Sequence, residues 1–270
     1  MFRAPTSPGR VFLGFLLAVL PVAAGPLASP KRGLVFTPNP KSPSDNTIWV
    51  QEPSDLTWYY NYQEKPSPVF SSIPQSDFEF VPMLWGTPPD PTTDTTFLKA
   101  VRELVNEKKI NITNVLAFNE PDGPFHYGGS NMDPDVAAQI WVNNIEPLRD
   151  MGIRVGLPAC TSAPDGLSWM QTFLRSCSKI VSGSGPQKNC TWDFVPLHVY
   201  GDFEALASHM GVYAAAYVYT GIYIFQHSRA NPLLSDFPTR PSGSPNTTIT
   251  TKAWQIRRSF TTLRPSTWTG

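Results

Sequence analysis

Six short apolar or aromatic runs set the plan of this chain: 33–36, 58–62, 80–85, 115–118, 155–157 and 194–200. Segments with helical patterning separate them. In 97–105, Phe97, Val101, Leu104 and Val105 share one face of a 3.6-residue repeat. A second helix is expected from Asp133, a capping residue, with Pro134 in its first turn and Gly152 as its stop. Val136, Ile140 and Leu148 have helical spacing within it. Strands alternating with helices call for an α/β fold with parallel strands. No dinucleotide fingerprint follows the first strand, so a (β/α) barrel fits better than a Rossmann sheet. In such a barrel, polar residues at the carboxyl ends of strands converge on one face. That rule selects Asn61, Trp85, Asn119, Glu120, His198 and Tyr200.

The run Val115 to Asp122 is the most informative of these strand ends. A buried strand gives way to Asn119-Glu120-Pro121-Asp122 and so presents a carboxylate at its tip. In an enclosed site such a group can be held protonated and donate to a departing oxygen. Sugar hydrolysis of this kind needs a second carboxylate across the scissile bond. Asn and Pro are also ordinary turn residues, so strand context alone leaves a solvated turn glutamate open. His198 reads as a hydrogen-bonded wall residue, and Trp58, Trp141 and Trp169 read as core. Trp85, ahead of Gly86-Thr87-Pro88, is the better stacking residue. Glu79 precedes its strand and belongs at the opposite rim.

Charged residues make up 16% of the 270 and the formal net charge is zero, so neither nucleic acid nor an anionic membrane is an expected partner. Arg3 and Arg10, the apolar stretch 11–20 and Val22-Ala23-Ala24 read as a signal peptide over 1–24, too short to span a bilayer. The mature protein is expected to be secreted or associated with a cell wall, and monomeric. Asn111, Asn189 and Asn246 open N-glycosylation triplets. Cys177 and Cys190 bracket a polar loop and are expected to form a disulfide, leaving Cys160 as a buried thiol. No His/Cys cluster has metal-ligand spacing, and no phosphate loop is present, so neither a metal nor a cofactor is expected.

From residue 217 the text changes. Between Leu233 and Gly270 it is dominated by Ser, Thr and Pro, with Asp236 the one acid. Residues 31–216 are therefore read as the folded domain and 217–270 as a divergent, disordered tail. A barrel that stops after six strands leaves open sheet edges.

Lys31-Arg32-Gly33-Leu34, Trp58-Tyr59-Tyr60-Asn61, the run FVPMLWG at 80–86, FNEPD at 118–122 and Leu197-His198-Val199-Tyr200-Gly201 together resemble the catalytic domain of fungal alkali-sensitive-linkage proteins, glycoside hydrolase family 128. The resemblance covers about 31–216. It implies a (β/α)8 TIM barrel, incomplete at its C-terminus, acting on β-1,3-glucan by a retaining two-glutamate mechanism. Glu120 matches the acid/base and Asn119 the residue that bonds the sugar 2-hydroxyl. Trp85, His198 and Tyr200 match positions along the glucan groove. Tyr62 and Val199 stand where the family commonly has Trp. The family's nucleophile, a glutamate ending the seventh strand, has no counterpart: the last glutamate is Glu204, and 217–227 carries no carboxylate. Two alternatives follow: a glucan-binding wall protein that has lost the chemistry, or an inactive product of a mis-spliced or frame-shifted gene. With the tail real, the last two strands are expected to be missing or poorly formed, with Glu120 in an open groove.

Overall fold

The computed structural model describes residues 32–217, together with the backbone of two later strands, Gly221–His227 and Thr251–Ile256. Residues 1–24, where a signal peptide is expected, and the glycosylation triplet at Asn246 lie outside the described residues. Eight strands follow in chain order: β1 (Arg32–Val35), β2 (Trp58–Tyr60), β3 (Glu79–Phe80), β4 (Asn114–Val115), β5 (Arg154–Val155), β6 (Phe194–Val199), β7 (Gly221–His227) and β8 (Thr251–Ile256). Four α-helices, α1 (Thr96–Asn106), α2 (Pro134–Asn144), α3 (Gly166–Ser182) and α4 (Phe203–Ala216), are interleaved with them.

Strand pairing runs round the whole set. β3, β2, β1, β8, β7 and β6 form one sheet, and β4 pairs with β5 in another. Single parallel bridges join the two: Met83 to Leu116 beyond β3 and β4, and Gly156 to Phe194 between β5 and β6. Pairing is parallel from β1 to β2 and β3, from β4 to β5 and from β6 to β7, while β8 is antiparallel to both β1 and β7.

This corrects two expectations. The strand series does not stop at six, because β7 pairs with β6 over six positions and β8 bridges β7 to β1. Nor is 217–270 wholly without regular structure, since both strands fall inside it. The physical reason is the edge problem itself: the main-chain donors and acceptors of β6 and β1 need partners. The β-branched and aromatic text Ile222-Tyr223-Ile224-Phe225 suits a strand. The antiparallel β8 also departs from the all-parallel order of a (β/α)8 barrel.

Side chains alternate between two clusters, as a period of two requires. Leu34, Tyr59, Phe80 and Val195 join the larger cluster, which also holds Leu104 of α1, Ile140 and Trp141 of α2 and Phe173 of α3. Val35, Tyr60, Val81, Met83, Leu116 and Phe194 form a smaller separate cluster. At Gly33 the chain needs the absence of a side chain, because a Cβ would lie 2.3 Å from the Trp58 ring.

Helix α2 starts where its sequence predicts. Asp133 caps α2 by accepting from the amides of Asp135 and Val136. The expected run to Gly152 is broken, however: α2 ends at Asn144 and a 3-10 turn, Glu146–Met151, carries the chain to Gly152. Val136 is exposed rather than packed. Cys177 and Cys190 are bridged, and Cys160 is free and buried. Among the described residues, no helix is long and apolar enough to cross a membrane.

Candidate active site

Glu120 sits one turn beyond β4 with only 6% of its surface exposed. Its backbone has φ 43°, a left-handed conformation unusual for a side-chain-bearing residue. Neighbouring hydrogen bonds hold it there: Glu120 N donates to the Ala159 carbonyl at 2.8 Å, and Gly123 N donates to the Glu120 carbonyl at 2.9 Å. Backbone strain of this kind persists only where surroundings over-determine it.

Two residues of the β6 end converge on one oxygen of this carboxylate. His198 Nδ1 lies 2.8 Å from Glu120 Oε1, and the Tyr200 hydroxyl donates to the same oxygen at 3.2 Å. His198 is fully enclosed, while Tyr200 is half exposed. The i, i+2 spacing explains why both reach the site, since side chains two apart on a strand share a face.

Asn119 is buried beside them. Its Nδ2 donates to the Gly128 carbonyl at 2.9 Å and its main-chain amide to the Trp85 carbonyl at 2.9 Å. Because the Gly128 carbonyl can only accept, the side-chain amide orientation is fixed. Its Oδ1, like the Ser130 hydroxyl, is buried and has no partner among the described residues. Buried acceptors are normally paired, so an unpaired one points to a missing donor. Trp85 is half-buried at the neighbouring strand end.

Asn61 behaves differently from its expectation as a substrate contact. Its Nδ2 donates to the Lys65 carbonyl at 2.9 Å and its Oδ1 accepts from Gln63 N at 3.2 Å, so both ends of the amide hold its own turn. Tyr60 and Tyr62, on the same strand end, both feel the Glu120 carboxyl. Burial pushes the Tyr60 hydroxyl well above its ordinary pKa, with further contributions from Tyr62, Tyr200 and the Glu120 charge. Tyr62 is likewise raised, by burial first and by Glu120 as well. Their rings meet edge-on at 5.1 Å. The resemblance in sequence marks Tyr62, at a position where the family commonly has Trp, but not Tyr60, two residues before it on the same face.

A second polar cluster lies behind Glu120. Asp122 accepts from the Thr161 amide at 2.8 Å and from the Thr161 hydroxyl. Burial, then Asp122, pushes the Cys160 thiol up. On α4, burial lowers the pKa of His209, Asp122 opposes that shift and His198 adds to it. Glu79 is at the opposite rim as expected, bonded by the Thr113 hydroxyl and by Asn114 Nδ2. Among the described residues, the one grouping with metal-ligand geometry is Glu146 with Cys177 and Cys190, and both sulfurs are committed to the disulfide.

A family model described as the glycosyl hydrolase catalytic core matches residues 33–240. The chain belongs to this family. The match continues past Ala216 and through β7, beyond the point where the resemblance in sequence was read as ending. Alkali-sensitive linkage protein 1 of Schizosaccharomyces pombe is 27% identical over 186 residues, 67% of this chain. The chain spans only 28% of that protein's length. Among solved structures, an endo-β-1,3-glucanase of glycoside hydrolase family 128 (subgroup II) from Sorangium cellulosum has a TM-score of 0.54 at 21% identity, covering 74% of this chain and 76% of that one. A subgroup I endo-β-1,3-glucanase from Amycolatopsis mediterranei, in complex with laminaritriose and laminaribiose, has a TM-score of 0.50 at 23% identity, covering 78% and 76%. These likenesses show a glycoside hydrolase catalytic fold.

Proposed function

We propose that this protein binds β-1,3-glucan at the Glu120 site, with Glu120 in the position of a glycosidase acid/base. The observation that carries the reading is the buried Glu120 Oε1 held by both His198 and Tyr200, beside the unpartnered Asn119 Oδ1. In this reading the strand ring is a TIM-type barrel with an altered last strand. Asn119 Oδ1 accepts a sugar hydroxyl, Trp85 lies against a sugar face, and Glu120 delivers a proton to the glycosidic oxygen. The glucanase neighbours support the choice of sugar.

A retaining double displacement needs a second carboxylate about 5–5.5 Å from the first. The sequences of β7 and β8, GIYIFQH and TKAWQI, contain none. Asp202 caps α4 through Ala205 N, and Glu204 is exposed in its first turn. This favours a second reading for the same cleft: glucan is held, and hydrolysis is slowed by the loss of the nucleophile. Loss of a catalytic nucleophile costs several orders of magnitude in rate while stacking and hydroxyl contacts persist. Export, N-glycosylation at Asn111 and Asn189, and a monomeric state complete the proposal. The Cys177–Cys190 bridge supports an oxidising compartment.

Calorimetric titration with laminari-oligosaccharides, run alongside an assay for released reducing sugar, tests both readings. Binding with measurable hydrolysis that Glu120→Gln abolishes supports the enzyme. Binding without hydrolysis supports the glucan-binding protein. No binding at millimolar oligosaccharide by folded protein refutes both.

A further inference from the structure

The loop that leaves Glu120, residues 121–131, carries two aromatic rings on the outside of the protein. Phe125 is 63% and Tyr127 80% exposed. The loop is nonetheless closely held. Ser130 N donates to the Asn119 and Glu120 carbonyls, Asn131 N to that of Gly123 and Met132 N to that of Pro121. The Asn119 side chain ties down Gly128. Gly129 packs so tightly that a Cβ there would lie 2.2 Å from the Gly123 carbonyl oxygen. Exposed rings on a loop this constrained lose little freedom when something lands on them.

The Phe125 ring continues the site, and the Tyr127 ring stands two residues further along the same loop against His126, 4.1 Å between centroids. The Phe125 ring lies nearly parallel to that of Trp85, 26° between planes and 6.4 Å between centroids. The main-chain carbonyl of Trp85 in turn accepts from the Asn119 amide, which fixes this strand end next to the acid. An aromatic surface therefore runs from the catalytic strand end outward onto the loop. Residues 123–132 contain no Asp, Glu, Lys or Arg. A charged partner would find no complementary charge there, whereas a neutral polysaccharide needs none.

We infer that Phe125 and Tyr127 form an additional subsite that stacks against outlying glucose rings of a neutral β-glucan chain seated at Glu120. The inference rests on the glucan reading of the site. Each pyranose offers a face of C–H groups, and an aromatic ring placed against it buries apolar area on both partners. The consequence is a preference for longer chains, since a short oligosaccharide at Glu120 does not reach the loop.

The test compares laminarihexaose with laminaritriose by titration calorimetry on the full chain and on Phe125→Ala, Tyr127→Ala and Phe125→Leu. The last keeps an apolar contact with Trp85 while removing the ring. Wild-type protein is expected to prefer the hexaose, and each variant is expected to lower the hexaose-to-triose affinity ratio by about fivefold. Melting temperatures should not move. An unchanged ratio in all three variants overturns the subsite while leaving the glucan reading intact. Wild-type protein that binds neither sugar overturns the glucan reading as well.

Discussion

His198 Nδ1 rests 2.8 Å from Glu120 Oε1 across 78 residues of sequence, and both side chains are almost wholly shielded from water. The pair joins the ends of β4 and β6, and Tyr200 reinforces it from the same strand face. A carboxyl group so enclosed depends on its hydrogen-bond partners, because an unpaired buried polar group is costly.

His198→Ala should therefore destabilise the fold by about 2–4 kcal/mol, because it empties a buried position and leaves the Glu120 carboxyl without its closest partner. His198→Ala combined with Glu120→Gln should recover part of that loss. Denaturant titration of the two single variants and the double variant measures the coupling. Strict additivity would mean that the two side chains do not interact.

Glu120→Gln preserves shape while removing the proton donor. Any hydrolysis the wild-type protein shows is expected to fall by about 10²–10⁴-fold, with oligosaccharide affinity changed far less. Reducing-sugar release and titration calorimetry on the same preparations separate these effects. A parallel loss of binding would assign Glu120 to ligand contact rather than proton transfer.

Gly129 tolerates no side chain. Gly129→Ala would press a methyl group onto the Gly123 and Glu120 carbonyls, at 2.2 and 2.7 Å, and the loop must shift. A cost of about 1–3 kcal/mol is expected. Weaker oligosaccharide binding should accompany it, because Asn119 is anchored through Gly128. A melting curve identical to wild type would show that the loop is not packed as described. Gly128→Ala, where no atom lies within 4 Å of the added Cβ, differs in kind: its strain comes only from φ 93°.

His209 sets an acid limb of stability. Burial is the largest influence and lowers its pKa against the opposing pull of Asp122, and the nearby His198 adds to the fall. Below an unfolded pKa of about 6.5 the unfolded chain takes up a proton that the folded chain refuses. Stability is therefore lost as pH falls below that value, until the folded-state pKa is reached. His209→Gln should flatten the fall in melting temperature between about pH 7 and pH 5 relative to wild type. Parallel curves for the two proteins would exclude this contribution.

The Cys177–Cys190 bridge closes a short loop across a sequence separation of 13. Cross-links of that span stabilise by about 3 kcal/mol, chiefly by restricting the unfolded chain. Thermal melts with and without reductant should differ by several degrees, and Cys177→Ser should melt like the reduced protein. Equal melting of all three would place the stability of this end of α3 elsewhere.

By itself the sequence determined the local features. Apolar runs marked the six strand positions, Asp133 and Pro134 marked a helix start, and the strand ending Asn119-Glu120 marked the acid. Local periodicity is enough for each, because a strand's faces and a helix's cap depend on residues a few positions apart. The order of strands and helices already sent Glu120, His198 and Tyr200 to one face, and only the tertiary structure decided which side chains there touch. It set His198 and Tyr200 on one oxygen of Glu120, turned both ends of the Asn61 amide onto its own turn, and set Phe125 against Trp85. It also recruited β7 and β8 from text that reads as a tail, because their pairing is fixed by the open edges of β6 and β1. Those edges are far away in sequence, and no local pattern reports them.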